Sequence, residues 1–136
     1  MSHKRVFALT AWLLAFALLG GLGVATSQQK PPVEGKGVTM AGPTIVDLGP
    51  DRHGLRLRMR IFTVQPGGNA PFHRHKDNPT VAYMFSGVFT EYHEDGSMGK
   101  VYRAGDTWAD GPEVSHWYEN KGAEPVVVAV ADVMNP

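Results

Sequence analysis

Past its first forty residues, the chain keeps no sustained helical hydrophobic period. It shows short runs of strand-forming residues, many with the period of two, cut by turn signals. That pattern excludes helical bundles and α/β layers and leaves an all-β domain. Residues 44–48 (TIVDL) form the first run, and residues 55–64 (LRLRMRIFTV) alternate apolar side chains with arginine. Residues 65–71 (QPGGNAP) read as a turn, residues 72–75 (FHRH) as a further strand and residues 76–79 (KDNP) as another turn. The runs 80–85, 88–93, 100–103, 115–120 and 126–133 follow, with EDGSMG as the tip of a hairpin. Strands this short and this regularly spaced close into a sandwich or a small barrel.

The rest of the composition narrows the chemistry. A chain of 136 residues has room for one such domain. Thirteen basic residues balance 13 acidic ones without a basic run, so nucleic acid is not an expected partner. No cysteine is present, which excludes disulfides, thiolate metal sites and a cysteine nucleophile. Any metal is held by nitrogen and oxygen, or by a weak methionine sulfur.

The N-terminus reads as an export signal. Lys4 and Arg5 precede an uncharged apolar stretch over residues 6–24, and small residues offer a cleavage site near Ala25. A retained membrane anchor is the alternative, since the stretch is long enough to span a bilayer. Either way the domain is expected outside the cytoplasm, secreted or periplasmic. Residues 26–43, rich in Gln, Lys, Pro and Gly, read as a flexible tether, and residues 44–136 as the barrel.

His73 and His75 are two apart on a strand, so both imidazoles point to one side. Alone, such a pair is common on exposed strands. Its surroundings carry more: five residues separate Gly67 from His73, four separate His75 from Thr80, and six separate Thr80 from Gly87. Later, Gly105 is followed after five residues by Gly111-Pro112-Glu113, then after two by His116 and after three more by Asn120. In order and spacing this resembles the two motifs of the cupins, over residues 45–133, with Thr80 in the place of the usual glutamate. The resemblance implies a single small cupin-type β-barrel (a double-stranded β-helix or jelly roll). It also implies that His73, His75 and His116 ligate one divalent transition metal. Fe, Zn, Cu, Ni and Mn are not distinguished.

Thr80 either supports a metal-bound water through its hydroxyl or only fills space. Met84 shares the face of Thr80 and is either a pocket residue or core. Asn120 either orients a ligand or serves turn chemistry. Trp108 and Tyr118 are read as pocket walls beside the metal. Glu91 reads as a surface residue, with a substitute carboxylate as the alternative. Arg56, Arg58 and Arg60 read as a solvated strand face, with a subunit interface or an anionic-ligand rim as the alternative.

Two functions fit. One is an exported metal-dependent oxidoreductase of dioxygenase type acting on a small organic substrate. The other is a non-catalytic barrel that holds a metal or a small ligand. Pairing through edge strands makes a homodimer the expected assembly.

Overall fold

The computed structural model describes residues 29–136; the expected export signal and the start of the tether lie outside them. Among the described residues, eight strands and a single 3₁₀ turn (Pro50–Arg52) are the regular elements. The strands are β1 (Lys36–Asp47), β2 (Arg56–Arg74), β3 (Thr80–Ser86), β4 (Val88–His93), β5 (Met98–Arg103), β6 (Thr107–Asp110), β7 (Ser115–Glu119) and β8 (Val126–Met134). Every pairing is antiparallel, and the strands follow the order β5-β4-β7-β2-β8-β3-β6, with β1 on the other edge of β2.

β2 organises the barrel. Its first half, Arg56 to Val64, pairs with β1 and β8; its second half, Asn69 to Arg74, pairs with β7. One strand thus belongs to both walls, and the wall changes at Gly67-Gly68. The expected turn at 65–71 is therefore a bend inside a continuous strand. Gly67 takes a φ of 70°, open to glycine at no steric cost. A Cβ on Gly68 would meet the Lys36 carbonyl oxygen at 2.5 Å, so β1 lies this close only because the side chain is absent.

Two sequence expectations change here. The tether read to residue 43 ends at residue 35, because Lys36 already pairs with Asn69 and Val38 with Val64. β1 is an edge strand with mostly exposed side chains, so it needed no apolar alternation to form. The arginines of β2 also face the other way. Arg58 and Arg60 are half-buried, while Leu57 and Met59 are 41% and 48% exposed. The alternation is real but its faces are inverted, because the buried carboxylate of Asp132 on β8 lies across from Arg58.

β3 shows a clean alternation, with Thr80, Ala82 and Met84 inward and Val81, Tyr83 and Phe85 outward. Met84 is fully buried and packs with Val64, Phe89, Val126 and Val128 in the core. Burial of such a side chain contributes about 1.5–3 kcal/mol.

Candidate metal centre

Two strands, β2 and β7, bring the histidines together. His73 and His75 enter from the second half of β2 and its end, and the β2–β7 register sets His73 opposite His116. The imidazole ring centres of the three lie 4.7–4.9 Å apart. His116 is completely buried, His75 is 7% exposed, and one ring nitrogen from each of the three residues falls within 4.8 Å of the others.

Each ring is turned by a partner on its Nδ1. His73 Nδ1–H donates to the Pro71 carbonyl at 2.8 Å. His116 Nδ1–H donates to Glu91 Oε1 at 2.7 Å. His75 Nδ1–H donates to Thr80 Oγ1 at 2.8 Å, and the Thr80 hydroxyl donates onward to the Asn78 carbonyl at 3.0 Å. With each Nδ1 proton fixed by an acceptor, each Nε2 carries a lone pair. The Nε2 atoms of His75 and His116 then face one another at 2.9 Å. Two lone pairs that close repel unless a positive charge stands between them. Donors that share one metal ion at about 2.0–2.1 Å sit roughly 3 Å apart, so this donor set fits a divalent cation.

Burial works against charging His73 and His75. Burial pushes His73 down to about 4, against the opposing pull of the Pro71 carbonyl. Burial also lowers His75. Glu91 moves the other way from most buried acids. Burial alone would raise it, but the hydrogen bonds from His116 and the Lys100 amide hold it below the usual carboxylate range. The Glu91 carboxylate fixes the orientation of the His116 ring.

The imidazoles open onto a cavity of about 330 Å³. Its walls are mostly apolar, from Val38 of β1 to Phe62, Phe89 and Val128. Thr80, Trp108 and Tyr118 line it too. Met84 and Asn120 do not. Met84 belongs to the core, and Asn120 is turn chemistry, donating to the carbonyls of Val64 and Glu124 while its Oδ1 accepts from the Gly122 amide. The role of Thr80 is neither of those expected: its hydroxyl orients His75.

Of three further polar residues at this site, Asp110 has no place in the sequence reading, and Arg60 and Glu91 have one there only as alternatives. Arg60 lines the cavity; its guanidinium lies 5.0 Å over Phe62 and bonds Asp132 at 3.1 Å, and its Nε is buried without a partner among the described residues. The solvated-face reading fails for it. Glu91, read as a surface residue, is 7% exposed. Asp110, on β6, is 6% exposed and lines the cavity, with Oδ2 at 3.8 Å from His75 Nε2 and 3.9 Å from His116 Nε2. Burial pushes its carboxyl above the usual range, with His116 and His75 opposing. The alternation of β4 hid Glu91, because Phe89, Thr90, Glu91 and Tyr92 are all buried whichever face they take. The Tyr118 hydroxyl, finally, is buried beside the cavity and has no hydrogen-bond partner among the described residues.

The profile of the cupin domain family matches residues 60–132. No curated protein matches in sequence. Among solved structures, the cupin domain of Schizosaccharomyces pombe Cnp3 is similar at TM-score 0.59 and 10% identity, over 74% of this chain and 66% of that one. The Cupin_2 domain of an XRE family transcriptional regulator from Enterobacter cloacae is similar at TM-score 0.54 and 16% identity, over 74% of this chain and 99% of that one. Oxalate decarboxylase from Bacillus subtilis, a protein with Mn(II) centres, is similar at TM-score 0.52 and 27% identity. That match covers 76% of this chain but only 27% of the decarboxylase.

Proposed function

Because the chain belongs to the cupin domain family, we propose that it is a metal-dependent enzyme of oxidoreductase type, working outside the cytoplasm on a small organic anion. The observation that carries this reading is the convergence of three oriented Nε2 lone pairs on the wall of a mostly apolar cavity.

A divalent ion held by His73, His75 and His116 would supply a Lewis-acid and redox centre. The chain's own groups do the rest. Glu91, Thr80 and the Pro71 carbonyl hold the three rings in place. The apolar walls exclude water and strengthen every charge interaction inside. Arg60 offers a guanidinium donor to a carboxylate or enolate, the only cationic lining side chain in the cavity among the described residues apart from the histidines. The Tyr118 hydroxyl offers a second donor to a substrate oxygen. At about 330 Å³ the cavity suits a compact molecule. Oxalate, named in the similar decarboxylase, is an anion of that size class.

The test is metal analysis of protein purified from its native compartment, followed by oxygen-uptake and product assays on a panel of small carboxylates and keto acids. A bound redox metal with turnover that falls at least tenfold in Arg60→Gln supports the reading. One bound metal per chain with no turnover across the panel would replace it with the binding-protein reading. Recovery of the chain from the cytosol with residues 1–25 intact would remove the export part.

A further inference from the structure

Thr80 stands where an acid would complete the donor set, yet an acid is present one strand away. In the β3–β6 ladder Thr80 pairs with Asp110, and in the β3–β8 ladder the same Thr80 pairs with Asp132. One row across three strands therefore reads Asp110, Thr80, Asp132. Asp132 is engaged: Arg58 holds both its oxygens, at 3.0 and 2.5 Å, and Arg60 adds a bond at 3.1 Å. Asp110 is as deep, 6% exposed against 2%, but no Lys or Arg pairs with it among the described residues. Its nearest cationic candidates are the Nε2 atoms of His75 and His116, at 3.8 and 3.9 Å. These are the nitrogens left free to take a metal.

We propose that Asp110 is the fourth protein ligand of the three-histidine centre, an acid moved from β3 to the neighbouring strand β6. This rests on the three-histidine reading above. A buried carboxylate without a counter-charge is costly, and a divalent cation at the Nε2 cluster removes that cost. The inversion is coherent along the row: Thr80, freed from ligation, orients His75, and the carboxylate reaches the same space from the next strand. The resulting set of three neutral nitrogens and one anionic oxygen favours a harder ion than three imidazoles alone.

The experiment titrates metal-stripped wild type, Asp110→Asn and His116→Ala with Mn(II) and, separately, with Zn(II), by calorimetry. Asp110→Asn is expected to weaken Mn(II) at least tenfold and Zn(II) by clearly less, because manganese depends more on the oxygen ligand. Its metal-stripped form is expected to melt at or above wild type, since a buried charge has gone. Thr80→Glu added to Asp110→Asn is expected to recover most of the Mn(II) affinity. An Mn(II) affinity within twofold of wild type in Asp110→Asn would overturn the proposal. So would equal losses for both ions together with a lowered melting point, the signature of a merely structural aspartate. If wild type itself took up neither ion, the three-histidine reading would fall first, a result distinguishable from loss in Asp110→Asn alone.

Discussion

Asp132 and Asp110 are two buried aspartates on either side of Thr80, in the same cross-strand row. The chain itself neutralises the first, with two arginines from β2. It leaves the second facing the Nε2 atoms of His75 and His116, which cannot neutralise it while the rings stay uncharged. The difference teaches how to separate structure from function in a barrel interior. A buried charge with an internal partner fixes two strands to each other; a buried charge without one marks where something else is meant to bind.

The largest effect that sharpens this contrast is on stability. Asp132→Asn leaves Arg58 and Arg60 without their shared partner and is expected to cost roughly 2–4 kcal/mol, read by chemical denaturation of the metal-stripped protein. Asp110→Asn under the same conditions is expected to cost nothing. Equal losses at the two positions would erase the comparison.

Next is the acid that acts through a ring. Glu91→Gln keeps the shape but removes the charge against His116, and is expected to weaken metal binding about 10–100-fold, measured by competition with a chelator. An unchanged affinity would mean that Glu91 is an ordinary buried residue. A smaller effect is expected at Thr80. Thr80→Val frees His75 Nδ1 from its hydroxyl acceptor but leaves the Asn78 carbonyl, 3.2 Å away, to take the proton. Loss of one such bond among two corresponds to about 0.5–1.5 kcal/mol, or several-fold in affinity. The smallest belongs to the outer face of the same sheet: Met59→Gln, at a side chain that is 48% exposed, is expected to stay within about 0.5 kcal/mol of wild type by thermal melting. A larger loss there, dependent on protein concentration, would show that a second copy covers this face.

Much of the fold was readable because strands announce themselves by their period. The hairpin of β4 and β5 and the strands β3, β7 and β8 stand close to where the alternation and turn residues put them. β6 was missed, since four residues, TWAD, between two turns carry no measurable period. That omission is also why Asp110 stayed hidden: its relation to Thr80 exists only through the β3–β6 pairing. Residues 36–43 of β1 read as tether because an exposed edge strand needs no apolar stripe, while its end, residues 44–47, falls in the first expected run. The arginines of β2 were placed on the wrong face because the carboxylate that draws them inward lies on the last strand. The histidines, by contrast, were legible from spacing, because His-x-His is a local pattern and the position of His116 belongs to a second one. What a sequence conceals here is the partner of each polar group whenever that partner arrives from a strand distant in the chain.

The central claim is that the Nε2 atoms of His73, His75 and His116 share one cation. Addition of Co(II) to metal-stripped protein, followed by visible absorption, tests it most directly. The account predicts ligand-field bands that saturate at one equivalent per chain and vanish in His116→Ala. Bands that fail to appear in wild type, or that persist unchanged in His116→Ala, would contradict it.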